Sequence, residues 1–296
     1  MPLPKVLVAG ATGYLGKHVV KALHAAGYPV RALARDPSRL GDVRPLCAEV
    51  VTAEATKPET LGDLVGDATV LVSSLGKHDF KRSPTTWEID YQANMNLLER
   101  AKAGGVERVV FVSVLRGPEL RRRGIRAAQA REGVVDAIEA SGLDWTIIRP
   151  NGFFNDMADI FEMAVGGTAW LVGDRAVKMN PIHGEDLARF VVEKLGDPAA
   201  RRASFDVGGP DVLTYPEIIE LAFAAVGKPS RTRSAPAWLF SAASPLVGLV
   251  NPVAGDLLRA VTILLEEGAV APCYGTHHLA DFYAELAAKA AERRAR

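Results

Sequence analysis

Cysteine is scarce: the 296 residues hold two, Cys47 and Cys273, isolated and outside any CxxC pair. That excludes a disulfide framework and a cysteine-based zinc site, and it fits a reducing cytoplasm; no metal site is expected. Net charge is missing as well, because 35 Lys and Arg offset 35 Asp and Glu. Nothing global therefore points to nucleic acid. Long hydrophobic runs are also lacking. The most apolar late stretch, AWLFSAASPLVGLV at 237–250, falls short of the ~20 residues a membrane span needs and is interrupted by Pro245 and Gly248. No transmembrane segment is expected, although this stretch could touch a membrane surface or cover an oily substrate. The opening MPLPKVLVAG runs straight into an apolar strand without the profile of a secretory leader. Internal repeats are absent, low complexity is confined to an Ala/Arg/Glu-rich tail after Ala284, and oligomeric state leaves no signal.

What is present is an ordinary globular composition, 48% hydrophobic and 24% charged, long enough for a large domain and a smaller lobe. Its organising stretch is KVLVAGATGYLGKHVVKALHAAGYPVRALARD at 5–36. Lys5 to Ala9 reads as a short buried strand. Gly10, Gly13 and Gly16 follow, and His18 to Ala26 has helical periodicity through Val19, Val20 and Leu23, stopped by Gly27. Val30 to Ala34 reads as a second strand. Between a strand and a helix, such glycines suit a dinucleotide. Gly10 serves a tight turn, Gly13 a close approach to pyrophosphate, and Gly16 the packing of helix on strand. The phosphates would meet backbone N–H groups at the helix start. A P-loop is excluded, because Lys17 is followed by His18 and the glycine spacing differs. Arg35 ends the second strand about twenty residues on, where an acid would hold an NAD ribose; an Arg there suits a 2′-phosphate. Arg31 and Arg39 add positive charge. NADP(H) is the expected cofactor, the alternative for Arg35 being a surface pair with Asp36.

Further strands are predicted at 47–56, 68–76, 108–114 and 144–150, with helices at 58–64, 86–103 and 119–140. This alternation means α/β architecture: a Rossmann-type, doubly wound parallel sheet with right-handed crossovers. Ligands of such sheets lie beyond the carboxyl ends of the strands, which brings Ser73, Ser74, Leu75 and Gly76 and then Ser113 into the candidate site. After Pro150, the turn Asn151–Phe154 offers exposed aromatics, Phe153 and Phe154, that could brace a nicotinamide. Helices are expected at 155–165 and 180–195, a strand at 204–209, and a helix capped by Thr214 and Glu217. The NADP-binding domain is drawn at 1–155 and a mixed C-terminal substrate lobe at 156–296, with segments near 180–210 returning to the Rossmann core.

The motifs GATGYLG (10–16), Arg35-Asp36-Pro37, FVSV (111–114), SGLDWTIIRPNGFF (141–154) and NPIHGEDLA (180–188) resemble the NmrA-like branch of the atypical short-chain dehydrogenase/reductases, over most of 5–227. The C-terminal PCYGTHHLADFY (272–283) is similar to the ending of divinyl chlorophyllide vinyl reductases, which reduce a vinyl group with NADPH. The resemblance implies cofactor contacts at Gly10, Thr12, Gly13, Tyr14, Leu15, Gly16, Arg35, Ser74, Leu75, Gly76, Ser113 and Pro150, with Glu54 and Ala55 flanking the adenine; Phe153 joins them as the aromatic brace.

One departure is instructive. Members of this superfamily usually pair Tyr and Lys in a YxxxK helix, the Lys lowering the pKa of the phenol so that it can exchange a proton. Counting back without gaps from SGL at 141–143, the resemblance puts the Tyr and Lys positions on Ala127 and Arg131; a shifted register with Ala128 at the Lys position supplies no dyad either, and no Tyr occurs between Tyr91 and Tyr215. The expected function is an NADPH-dependent reductase that delivers hydride to a hydrophobic, conjugated acceptor (an enone, vinyl group or quinone) and takes its proton from water or another side chain. Ser113 could hydrogen-bond substrate or nicotinamide, and Arg131 could steady developing negative charge. His183 is read as structural, beside Asp186 at a helix start. Trp238, Leu239, Phe240, Leu246, Val247 and Leu249 suit either the lining of a substrate pocket or an interface. The alternative function is a non-catalytic NADP(H)-binding redox sensor or scaffold.

Overall fold

A computed structural model describes residues 2–77 and 81–295. The chain opens as β1 (Val6–Ala9), α1 (Tyr14–Ala25), β2 (Val30–Ala34), β3 (Glu49–Thr52) and β4 (Val70–Ser73). It continues as α2 (Ala93–Ala103), β5 (Arg108–Val112), α3 (Gly117–Arg122), α4 (Arg126–Glu139) and β6 (Asp144–Pro150). Then come α5 (Ala158–Val165), β7 (Ala169–Val172), β8 (Lys178–Met179), α6 (Gly184–Gly196), β9 (Ala203–Val207), β10 (Leu213–Thr214) and α7 (Tyr215–Ala225). Last are β11 (Thr232–Ala235), α8 (Ala237–Val250), α9 (Pro252–Glu267) and α10 (Leu279–Ala295).

Seven strands form one sheet in the order β3-β2-β1-β4-β5-β6-β9. The pairings from β3 across to β6 are parallel. The order reverses between β1 and β4, which is where a doubly wound sheet opens a crevice at its carboxyl edge. β1, β2, β4 and β5 are buried along their whole length, so they read as continuous apolar runs rather than alternating ones. The expected α/β, Rossmann-type class is what the chain adopts. It divides into two compact units: the chain up to Arg149 with Leu187–Phe205, and Pro150–Asp186 with Asp206–Arg296.

In the first unit, Leu7, Ala9, Leu71, Val109, Phe111 and Ile147 of the sheet pack under Leu97 and Leu98 of α2 and Val134, Val135 and Ile138 of α4. α1 begins at Tyr14, earlier than its periodicity suggests, because Gly13 takes the extended N-cap conformation. It ends as foreseen at Gly27, whose φ of +84° admits the turn. There Gly27 N–H reaches the His24 carbonyl and Tyr28 N–H reaches that of Leu23. Arg108, buried at the start of β5, donates to the carbonyls of Lys194 and Leu195. A side-chain cation thereby closes the last turn of α6.

Several expected elements differ. The strand at 47–56 shrinks to β3, and the helix at 58–64 is a single 3₁₀ turn, Pro58–Thr60. The helix at 86–103 is a π-wound segment, Trp87–Gln92, running into α2. The helix at 119–140 is two, α3 and α4, broken where Gly124 takes a φ of +78°. Arg31 adds no charge to the end of β2. It is buried, donates to the Leu64 carbonyl at 3.0 Å, and pairs with Glu49 and Asp63, four residues or ~13 Å along the strand from Arg35.

The second unit has its own core, where Phe154, Phe161 and Leu171 meet Ile219 and Phe223 of α7 and Leu279 and Tyr283 of α10. Phe154 is therefore a core residue, 1% exposed, and not an exposed aromatic. Thr214 and Glu217 make the expected capping box on α7. Asn180 is fully buried and ties three segments together: its amide donates to Gly209 and Ala271 carbonyls, and its oxygen accepts from Asn151 and from Ala271 N–H. α8 and α9 form a hairpin. Trp238, Leu239, Leu246 and Leu249, candidates for a pocket lining, are exposed on it, and Phe240 packs against Leu265.

The tightest point of the first unit is Gly16. A Cβ there would overlap the Gly10 carbonyl oxygen and approach Ala11 Cα, backbone atoms that cannot rotate away. Gly16→Ala is expected to lower stability in urea unfolding by about 2 kcal/mol or more; wild-type stability would show that α1 does not rest on this turn.

Candidate functional site

The site grows from the turn after β1. Gly10 has a φ of +89°, open to glycine at little strain, and its carbonyl accepts from Gly13 N–H at 2.9 Å. That hairpin-like closure delivers Gly13 as the N-cap of α1. With no side chain at the cap and no acid in the first turn, the helix start keeps its positive end uncompensated. Leu15 and Gly16 are buried while Thr12, Gly13 and Tyr14 are half-buried, so Leu15 can serve a ligand only through its backbone. A Cβ at Gly13 would meet only the Gly10 carbonyl oxygen, at 3.3 Å, so the space over this residue is open to a ligand. Tyr14 sets its ring edge-on to His18, 5.2 Å between centroids.

The carboxyl ends of β2 and β3 hold the adjoining charges. Arg35 is half exposed and lies 3.7 Å from Glu54, which also pairs with Lys57 at 3.2 Å. Asp36, the alternative partner for Arg35, instead accepts from Ser38 N–H and hydroxyl, and those bonds hold its carboxyl below the usual range. Ala55 is buried in the core and its carbonyl accepts from Asn96.

Beside β1, the end of β4 is fastened by a buried polar chain. Ser74 Oγ donates to the Ala9 carbonyl at 3.3 Å, and Ser73 Oγ donates to Asn94 Oδ1 at 2.7 Å. Asn94 donates in turn to the carbonyls of Asp90 and Leu75. Asp90, 2% exposed, takes Arg131 at 2.8 Å and the Lys77 N–H at 3.1 Å. Arg131 also donates to the Val112 carbonyl at 2.8 Å. Burial pushes the Asp90 carboxyl up, and the Arg131 charge and Lys77 N–H oppose it. The guanidinium lies against Gly76, where a Cβ would overlap it. Arg131 is thus a charge already matched, clamping the β4 end to β5.

A second buried cluster adjoins it. Ser113, 5% exposed, donates its hydroxyl to Glu132 Oε1 at 2.9 Å. Glu132 also receives both terminal nitrogens of Arg149, Nη2 at 2.8 Å, and Arg149 Nε donates to Ser204 at 3.1 Å. Ser113 therefore has its single O–H committed and only lone pairs left to offer. Asp90, Asn94, Glu132 and Arg149 escaped the sequence reading. The available signal was position: Asp90 and Asn94 extend the buried stripe of Leu97 and Ala101, and Glu132 lies on the stripe of Ala128 and Val135.

Pro150 and Phe153 fall in the second unit. Pro150 closes β6, and half-buried Phe153 bridges to Ile182. His183 precedes α6, and its Nδ1 accepts from Glu185 N–H at 3.3 Å. The partner of Asp186 is His277, through Nδ1 at 2.9 Å and backbone N–H at 3.0 Å. Burial and the neighbouring His277 hold the His183 pKa below the usual imidazole value. His183, Glu185 and His277 bring ligand-type atoms within 4.8 Å of one another. The two imidazoles stack at 4.3 Å with 25° between planes, so their in-plane lone pairs run side by side instead of converging on one ion.

This geometry has relatives. A model of the NAD(P)H-binding family matches residues 10–198. The chain belongs to that NAD(P)H-binding family. Among curated proteins, the family member is 28% identical over 256 residues to a chloroplastic divinyl chlorophyllide a 8-vinyl-reductase of Oryza sativa, across 80% of this chain and 62% of the relative. It is 23% identical to the photosystem II assembly factor Ycf39 of Trieres chinensis, across 82% of this chain and 76% of that protein. The chain spans about three fifths of the length of the vinyl reductases of Oryza sativa and Cucumis sativus. Among solved structures, the NADPH-dependent quinone oxidoreductase QOR2 of Escherichia coli, complexed with NADPH, shares the fold with a TM-score of 0.76 at 18% identity, over 95% of this chain and 99% of that one.

The residues fit such a dinucleotide: Gly10 and Gly13 bring no side chain to the turn and the helix start is uncapped. The clamp beside it is testable. Asp90→Asn leaves the Arg131 cation without its charge partner and is expected to cost about 3 kcal/mol of stability. Adding Arg131→Met to Asp90→Asn should recover part of that loss in a double-mutant cycle. Strictly additive losses would mean that the pair does not hold the β4 end.

Proposed function

We propose that this chain is an NADPH-dependent reductase of a hydrophobic, conjugated acceptor, working without a phenolic acid. The carrying observation is the combination of an uncapped glycine turn before α1 with a helix α4 that holds no tyrosine and whose Arg131 is already paired to Asp90. A cradle kept intact beside such a helix suits an acceptor that receives electrons at carbon and needs no positioned phenol. A vinyl group conjugated to a macrocycle and a quinone are both of that kind, and the vinyl reductase and quinone oxidoreductase relatives support the class. When bound, NADPH supplies the hydride equivalent.

In this reading Gly10, Thr12, Gly13, Tyr14, Leu15 and Gly16 receive the pyrophosphate through the turn and the start of α1. Arg35 receives the 2′-phosphate, released from its long pairing with Glu54, and Glu54 and Ala55 border the adenine. Ser74, Leu75 and Gly76 line the cofactor from β4, held by Asn94, Asp90 and Arg131. Arg131 positions rather than stabilises charge, and Ser113 fixes the end of β5 through Glu132. A second reading, a non-catalytic NADP(H) binder serving assembly or redox sensing, draws its support from the likeness to Ycf39.

Purified protein with NADPH and a panel of quinones and enones, followed by absorbance of the reduced nicotinamide, separates the two. Oxidation with at least one acceptor class is expected; tight binding with no oxidation across the panel would favour the second reading. Arg35→Asp is expected to weaken NADPH binding ten- to a hundredfold, roughly the worth of one charge-assisted contact, and to leave NADH binding comparatively untouched. An unchanged preference between the coenzymes would place the 2′-phosphate elsewhere.

A further inference from the structure

The hairpin of α8 and α9 is built inside out. Its two helices are joined by Asn251 alone, whose side-chain oxygen accepts from Val253 N–H at 3.1 Å and Ala254 N–H at 3.3 Å. Toward the turn the residues at their contact are small: a Cβ on Gly255 would meet Gly248 Cα at 2.5 Å and the Ser244 carbonyl oxygen at 2.8 Å, whereas farther from it Phe240 packs against Leu265. Ser244 and Gly248 stand four apart, the spacing that lets helix backbones approach closely in an apolar medium. The large side chains point the other way. Leu249 is 84% exposed, Leu246 and Val250 67% each, and Trp238 64%, with Leu239, Leu257 and Val261 exposed as well. A helix pair designed for water buries its leucines and shows its small and polar residues; this one does the reverse.

The charge pattern favours a lipid surface over a second protein. α8 contains no ionisable residue, and from Leu221 to Gly255 there is no acid at all, although the whole chain is charge-balanced. The same stretch carries Lys228, Arg231 and Arg233, all exposed. Acids return at half-buried Asp256 and, at the far end of α9 from the turn, at Glu266 and Glu267. Length settles how such a hairpin could sit. α8 has 14 residues, or ~21 Å, against a hydrocarbon core of ~30 Å. No helix among the described residues is long and apolar enough to cross a membrane.

We propose that the α8–α9 hairpin is an interfacial anchor: its turn and the outward face of Leu246, Leu249 and Val250 enter the headgroup–acyl boundary of an anionic bilayer, with Arg231, Arg233 and Lys228 near the lipid phosphates. The inference is independent of the reductase reading, since a sensor or an enzyme would be anchored alike.

The test is co-flotation of the full chain with vesicles of phosphatidylcholine, alone or mixed with phosphatidylglycerol. Binding to the mixed vesicles is expected, at least tenfold stronger than to phosphatidylcholine alone and weakened by salt. The double variant Leu246→Ser/Leu249→Ser should lose flotation while keeping the wild-type melting temperature and NADPH affinity. Val212→Ser, which removes an exposed apolar side chain outside the hairpin, should float normally. Absence of flotation with either vesicle would overturn the proposal. So would a solution dimer that the double variant dissolves, because the face would then be covered by a second copy.

Discussion

The amino end of α1 rests on the turn after β1 because neither Gly10 nor Gly16 carries a side chain there. The dinucleotide cradle proposed above depends on that contact. It brings the positive end of a helix to the point where the strand order reverses between β1 and β4, where doubly wound sheets take their ligands. It also explains the unusual economy of the cap. Gly13 offers the helix no side-chain acceptor, and the first turn offers no acid, so satisfaction of these N–H groups is left to water or to an anion. A capping Asp or Ser would stabilise the helix by about 1 kcal/mol, yet would fill the space that a phosphate needs.

The first unit also carries structural charge in its interior. Two buried clusters, Asp90 with Arg131 and Glu132 with Arg149, sit under the carboxyl ends of β4, β5 and β6. Buried ion pairs of this kind contribute little net stability relative to apolar residues, but breaking one leaves an uncompensated charge. Their value is therefore geometric. Arg131 reaches the Val112 carbonyl and Asp90 the Lys77 amide, so a single pair fixes the end of one strand to the loop after another. Gly76 completes the arrangement, because any side chain there would displace the guanidinium. Through Arg131, α4 supplies a clamp for the ends of β4 and β5.

The frame of the first unit was legible because its signals are local. Short, largely apolar runs mark β1 to β6, and the glycines on either side specify where α1 begins and stops. The arrangement of the site was less so. Asp90 and Asn94 lie on the inward face with Leu97 and Ala101, and a polar residue there is visible as an exception, but its partner is not: Arg131 stands 41 positions later on another element. The same non-locality hid the π-wound start of α2, which turns Asp90 inward. Gly124 was readable as a break, yet the run of arginines around it has no period to interrupt. β7 and β11 pair in parallel from segments that are far apart; β7 is an apolar run of only four residues, and β11, Thr-Arg-Ser-Ala, is neither alternating nor apolar, so no pattern announces the pair.

The α8–α9 hairpin marks the limit of composition as evidence. Fourteen residues without a charge can line a cavity, cover a partner or meet lipid, and hydropathy alone treats these as equal. What separates them is which side chains face which way. Small residues at the helix contact, with Leu246, Leu249 and Val250 outward, are what close backbone approach in a non-aqueous medium requires. In water the same arrangement forfeits the burial that would hold two short helices together, since each outward leucine leaves ~2 kcal/mol of hydrophobic stabilisation unrealised. A surface that recovers this on contact, and that meets cations before acids along the chain, is matched by an anionic bilayer more closely than by solvent.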